Sequence, residues 1–174
     1  MGDSGEIFAC DVNHKKLRMI RETCDRLGID SVRTFTMDAT APSNAIKDAT
    51  FHRILVDAPC SGLGVIRRNP EGKWWKSPAD LAQLAATQLV ILENLSKYLE
   101  PDGTLLYATC STSRQENEEV VDAFLSRHPG FVVEDLRPLF PAFAPLFTER
   151  GFFRSWPHKD GMDGFFAARL KKKQ

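Results

Sequence analysis

Two cysteines of this chain stand where a thiol could work on a ligand. Cys60 lies in "DAPCSG" and Cys110 in "ATCSTS". Each comes directly after a strongly apolar run and each is followed by serine. A thiol reacts as its thiolate, which forms in a polar, partly open setting rather than in a packed core. The point where an apolar run gives way to a polar turn supplies such a setting. Pro59 fixes the backbone just before Cys60, and Gly62 and Gly64 would let a flat substrate come close to the chain. Spacing alone therefore points to a thiol nucleophile at either position and does not choose between them. Cys10, inside an apolar run, and Cys24, on an apolar helical face, are expected to be structural and inert.

Three aspartates accompany the cysteines. Asp11 ends "EIFACD", Asp38 follows "VRTFTM", and Asp57 ends "HRILVD". The three runs read as short buried strands, the first over residues 6–12. "NHKKLRMIRETCDRLGI" reads as a helix, with Leu17, Ile20, Cys24 and Leu27 on one face, Asn13 as N-cap and Gly28 as C-terminal stop. A long loop with Gly62, Gly64, Pro70, Gly72 and Pro78 leads to a second helix, "PADLAQLAATQLVILENLSKYLE". There Leu81, Leu84, Gln88, Ile91, Leu95 and Leu99 lie near one face. "PDGTLLYATCS" is a turn and a fourth strand. "QENEEVVDAFLSRHPG" is a helix whose acidic first turn suits the macrodipole. "FVVEDL" and "GFFAARL" close the chain as strands, around a loop rich in Pro and Phe.

Alternating strands and helices, with early strands apolar throughout, predict an α/β fold with a largely parallel sheet covered on both faces. Ligands of such folds bind beyond the carboxyl ends of the strands. Asp11, Asp38, Asp57 and Cys110 all fall at such ends. An aspartate after a strand is equally a turn or cap residue when taken alone; three, together with a cysteine, indicate a site.

The chain has 174 residues, 43% apolar and 26% charged, with a formal net charge of zero. That size fits one domain over residues 1–174 with room for a core. No run reaches the roughly 20 apolar residues of a membrane-spanning helix. The first residues have neither the basic start nor the apolar centre of a secretory signal. None of the four cysteines forms a C-x-x-C pair, and their spacing suits neither zinc nor a disulfide scaffold. They read as reduced thiols, hence a cytoplasmic protein. Zero net charge excludes a polybasic coat but allows local basic strips. "IRRNPEGKWWK", with Arg67, Arg68, Lys73 and Lys76, is one; the tail "RLKKKQ" is another. The four residues of the first strip are candidate phosphate contacts or simply a solvated basic loop. Trp74 and Trp75 fit the core better than a base-stacking role. His158 receives no role.

"VDAPCSGLGVIRRNPEGKWWK" together with "GTLLYATCSTSRQENEEVV" resembles the RNA cytosine-5 methyltransferases of the RsmB/Nop/Sun family. The closing "WPHKDGMDGFFAARLKKK" resembles that family's C-terminal strand, so the likeness runs through essentially the whole chain. Within the family it is most similar to the bacterial RsmB type, which acts on small-subunit 16S ribosomal RNA. The resemblance implies a Rossmann-like class I fold, S-adenosyl-L-methionine as cofactor, and RNA, specifically ribosomal RNA, as substrate. It implies 5-methylcytosine as product. Two thiols then make sense. Cytosine C5 is a poor nucleophile until a thiolate adds to C6. By the resemblance Cys110 makes that bond, Cys60 assists release, and Asp57 lies between base and cofactor. Asp11 would accept the ribose hydroxyls, Asp38 would sit beside the adenine amino group, and Asp57 near the methionine portion. The target base must leave its stack to reach the thiol.

The chain departs from the family in one respect. The Gly-rich A-A-P-G-G-K-T type of loop, with the strand before it and the helix after it, is not in these 174 residues. The expectation is a slot between the strand at 6–11 and the strand at 52–57, open to self-association or to an N-terminal segment. It includes weak cofactor binding and a fragment of a longer catalytic domain. Three alternatives stand beside the main reading. One is a non-catalytic RNA-binding or assembly module that keeps the signature. Another is a thiol hydrolase or oxidoreductase, which the want of a C-x-x-C motif and a His partner disfavours. The third reverses the two cysteines, as in DNA cytosine-5 methyltransferases, where the P-C cysteine attacks.

Overall fold

The computed structural model describes residues 2–74 and 76–173, with only the backbone of Lys73. Trp75 and the Lys73 side chain, named above, lie outside the described residues. Two compact units divide the chain, Met1–Ala49 and Thr50–Gln174.

In the first unit, β1 (Ile7–Asp11), α1 (His14–Leu27) and β2 (Val32–Thr36) make a strand–helix–strand crossover. β1 and β2 pair in parallel, from Ile7 opposite Val32 to Asp11 opposite Thr36. A parallel pair needs such a crossover because no tight turn can join its ends. α1 begins where the Asn13 side chain accepts from the Lys15 N–H at 2.9 Å. It stops at Gly28, whose φ of 65° is left-handed. The predicted apolar face of α1 is buried at Leu17, while Ile20 is 36% and Leu27 55% exposed. Cys10 is exposed, contrary to its expected place in the core. A single helix covers only one face of a two-stranded sheet, so an apolar strand here is not buried on both sides.

The second unit holds a five-stranded sheet in the order β3-β4-β7-β5, with β6 paired to β7. β3 (Phe51–Asp57) and β4 (Leu99–Thr109) run parallel, joined through α2 (Pro78–Leu95). β5 (Phe131–Val133), β6 (Phe153–Arg154) and β7 (Phe166–Lys172) add antiparallel pairings on the far side of β4. The class is thus α/β with a mixed sheet, parallel in its first half. A capping box starts α2: the Ser77 hydroxyl and Asp80 carboxylate each bond the other's backbone N–H. α3 (Glu118–Arg127) packs Val121 and Phe124, both fully buried, into the core with Leu92, Leu105, Tyr107, Phe166 and Leu170. α3 starts later than the sequence pattern predicts. Residues 114–116 form a 3-10 turn, and Asn117 leaves helical geometry with φ −115° and ψ −96°. The reason is local: the side chains of Glu116 and Asn117 are spent on the loops that carry the cysteines. Between β6 and β7 lies the short helix α4 (Pro157–Asp160), where His158 sits 5.8 Å from the Trp156 ring.

Candidate active site

β3 and β4 are neighbours in register, Asp57 opposite Ala108, so the two loops that follow leave the sheet side by side. The Ala58 N–H extends the ladder one step to the Ala108 carbonyl at 3.0 Å. The consequence is direct: Cys60 Sγ lies 3.3 Å from Cys110 Sγ, as a thiol–thiol hydrogen bond. Both residues are half-buried. Their separation exceeds the roughly 2.05 Å of a disulfide, so the pair is a reduced one.

The serine after each cysteine explains how the sulfurs are held. Glu116, fully buried, takes the Ser61 N–H at 2.7 Å and the Ser61 hydroxyl at 2.5 Å. It also takes the Ser111 hydroxyl at 2.6 Å and the Gln88 amide at 3.2 Å. The two serine hydroxyls are 3.1 Å apart. One carboxylate therefore ties the loop after β3, the loop after β4 and α2 together. A buried carboxylate is tolerated because donors replace its water. Losing the acceptor would strand donors at about 1–3 kcal/mol each. Gln88 also donates to the Pro59 carbonyl at 2.9 Å, and Tyr107 donates its hydroxyl to the Glu116 carbonyl at 2.5 Å. The Tyr107 hydroxyl has its pKa raised, first by burial and then by the Glu116 charge. Asn117 accepts from the Thr109 hydroxyl at 2.6 Å and donates to the Ser111 carbonyl at 2.9 Å.

Backbone packing fixes the outer wall. The Gly64 N–H donates to the Cys110 carbonyl at 2.9 Å, and the Gly164 N–H to the Gly64 carbonyl at 2.8 Å. A Cβ on Gly64 would stand 1.9 Å from the Gly164 carbonyl oxygen, so this approach requires glycine. Arg154, buried, pairs with Glu118 and donates to the Thr112 carbonyl at 2.7 Å, steadying the Cys110 loop from the other side.

The two thiols are electrostatically unlike. The hydrogen bond from Cys60 draws Cys110 down to about 7, against burial and the nearby Asp57 and Glu116 charges. The same interaction, with burial, pushes Cys60 far up. The arrangement favours a Cys110 thiolate beside a Cys60 thiol, with Cys110 about half ionised at pH 7. Such a pair can present a nucleophile and a proton donor to one small substrate.

Asp57 is exposed at the end of β3, and its charge reaches Cys110. Asp11 and Asp38 belong to the first unit. Asp11 accepts from the Asn13 N–H at 2.7 Å and from Lys16 at 3.2 Å, and the Asn13 N–H leads in lowering its pKa. Asp38 takes the Thr40 N–H at 2.8 Å and hydroxyl at 2.6 Å on one oxygen, Oδ1, and the hydroxyl leads in lowering its pKa. Both thus fill the turn roles open to any aspartate after a strand; Thr40 takes only Oδ1 of Asp38, whereas Oδ2 of Asp11 is shared with Lys16 and keeps one further lone pair. Arg67 and Arg68 each place Nε 2.6 Å from the buried Asp163. They brace the loop before β7 with one shared carboxylate, a partner the sequence did not reveal. Lys76 is exposed. Trp74, expected in the core, is 77% exposed, because its 3-10 turn lies in the polar surface loop. Glu116, Gln88 and Asn117 escaped the sequence reading. The one available signal was Gln88 on an otherwise apolar helical face; Glu116 is hidden in "RQENEE", which reads as a solvated helix start. Among the described residues no cluster of His, Cys, Asp and Glu could hold a metal, and no helix is long and apolar enough to cross a membrane.

Comparisons with known proteins bear on this geometry. The family model described as 16S rRNA methyltransferase RsmB/F matches residues 1–171. A Bacillus subtilis (strain 168) protein named "Probable ribosomal RNA small subunit methyltransferase B" is 41% identical over 174 residues, covering 99% of this chain and 39% of that protein. The solved structure of NSun6 from Pyrococcus horikoshii with SFG is 30% identical, with a TM-score of 0.79 over 99% of this chain and 42% of that one. A methyltransferase homologue from Pyrococcus horikoshii is 28% identical with a TM-score of 0.78, over 98% of this chain and 54% of that one. The chain thus spans about two fifths of the length of the curated relative.

Proposed function

The chain belongs to the 16S rRNA methyltransferase RsmB/F family, and from that premise we propose that it is catalytic-domain sequence of an S-adenosyl-L-methionine-dependent RNA cytosine-5 methyltransferase. The observation that carries this reading is the 3.3 Å thiol pair at the carboxyl ends of β3 and β4. Cys110, whose acidity lies near 7, adds as thiolate to C6 of an extruded cytosine. C5 thereby becomes enamine-like and nucleophilic. After C5 is methylated it gives up its proton to a base, the S–C6 bond breaks, and the electron pair returns to the Cys110 sulfur. The Cys60 thiol hydrogen-bonds that departing sulfur and eases release. Asp57, at the rim, orients the base or the cofactor.

S-adenosyl-L-methionine, when bound, supplies the methyl group. The residues fit part of it. Asp11, with acceptor capacity left beside the Asn13 N–H, suits a ribose diol. Asp38 suits an adenine amino group, since Thr40 takes only its Oδ1. Asp57 suits the methionine end. The relative solved with SFG, an analogue of S-adenosyl-L-methionine, supports the choice of cofactor. Arg67, Arg68 and Lys76 are the phosphate contacts of this reading. Two arginines sharing the Asp163 carboxylate keep a positive surplus for the RNA backbone. The relatives' names support ribosomal RNA as the substrate.

Release of tritium from RNA labelled at cytosine C5 tests the reaction, because methylation must expel that hydrogen. Cofactor-dependent release is expected. Absence of release, with no calorimetric binding of S-adenosylhomocysteine at millimolar concentration, would favour a non-catalytic RNA-binding module.

A further inference from the structure

The reaction above uses two sulfurs, but neither sulfur determines where the other sits. Glu116 lies between the backbones that do. Its carboxylate accepts from Ser61 twice, from Ser111 and from Gln88. Ser61 and Ser111 are the residues directly after Cys60 and Cys110. We infer that Glu116 is the positioning residue of this site: by clamping the two serines it sets the Cys60–Cys110 separation and so keeps one thiol as hydrogen-bond donor to the other.

The geometry leaves little slack. All the groups that face the carboxylate are donors, so a neutral amide in its place would turn an NH2 toward them. The clamp is itself locked, since the Tyr107 hydroxyl holds the Glu116 carbonyl and Asn117 holds Thr109 and Ser111. A bond of 3.3 Å between soft sulfur atoms tolerates only a small displacement of either loop. A misplacement of about 1 Å is enough to lose such an alignment. The role rests on the proposed reaction for its purpose, but the thiol geometry can be read without RNA or cofactor.

Electrostatics gives the inference a sign. The Glu116 charge on its own opposes ionisation of Cys110, whereas the Cys60 hydrogen bond promotes it and is the larger influence. If Glu116 acted only as a nearby charge, neutralising it would make Cys110 more acidic. If it acts by positioning, neutralising it breaks the sulfur contact and makes Cys110 less acidic.

The test uses the full chain with Cys10 and Cys24 replaced by serine, leaving the two thiols under study. Two readouts are taken: the pH midpoint of Cys110 alkylation by iodoacetamide, and the rate at which dibromobimane bridges the two sulfurs. For Glu116→Gln the midpoint is expected to rise by about half a pH unit or more, and bridging to slow by about tenfold. Circular dichroism checks that the fold is kept. Should this variant not fold, Ser61→Ala combined with Ser111→Ala removes the clamped hydroxyls while leaving the carboxylate, and the same two shifts are expected. A midpoint that stays or falls, with bridging at the parent rate, overturns the inference even if the melting temperature drops. Failure of methyl transfer would leave these readouts intact and count only against the proposed reaction.

Discussion

Cys110 owes its lowered pKa to its neighbour. A thiol at its ordinary value of 9.0 is about 1% ionised at pH 7, while one near 7 is about half ionised. The Cys60 hydrogen bond is the largest influence on it and outweighs burial and the Asp57 and Glu116 charges. Cys60 donates to the Cys110 sulfur and favours the thiolate; Asp57 repels it. Alkylation of Cys110 should therefore rise with pH through about 7 and level off above it. Cys60→Ala is expected to move the midpoint upward, and Asp57→Asn to move it downward. Mass-spectrometric counting of modified Cys110 against pH checks both. At this scale the sequence was half legible. The cysteines and Asp57 stood out because each follows an apolar strand. Glu116 did not, because burial of a carboxylate depends on donors distant in the chain, such as Ser61, 55 residues away.

The elements place these groups through close backbone contact. β3 and β4 bring their loops together by parallel pairing, and Gly64 lets the first loop meet the second and the turn before β7. Gly64→Ala would force a Cβ to within 1.9 Å of the Gly164 carbonyl oxygen. The chain must shift to accept it, at about 2–3 kcal/mol. A lower denaturant midpoint and slower alkylation of Cys110 are expected together, since the Gly64 N–H holds the Cys110 carbonyl. The ends of β1 and β3 at Asp11 and Asp57, the Asn13 and Gly28 caps and the Pro78 start of α2 were readable, because caps and apolar runs are local signals. The late start of α3 was not, because Glu116 and Asn117 are withdrawn from the helix by tertiary bonds. The exposure of Cys10, Ile20 and Leu27 was also unreadable, since a pattern shows which residues are apolar but not what covers them.

At the level of the whole molecule, the described strands form two sheets, one with two strands and one with five. β3 ends the larger sheet and leaves Leu55 66% exposed. An apolar edge strand is a template for pairing with another chain. Light scattering is expected to show association that grows with concentration and weakens in Leu55→Lys, with unchanged circular dichroism. A parent that stays monomeric at high concentration would remove that expectation. The account as a whole turns on which sulfur bonds to RNA. RNA carrying 5-azacytidine traps the nucleophile, because the modified base cannot lose hydrogen from position 5. The measurement is a denaturing gel of this RNA with the parent chain, Cys110→Ala and Cys60→Ala. The account predicts a covalent band with the parent and with Cys60→Ala, and none with Cys110→Ala; a band with Cys110→Ala and none with Cys60→Ala would contradict it.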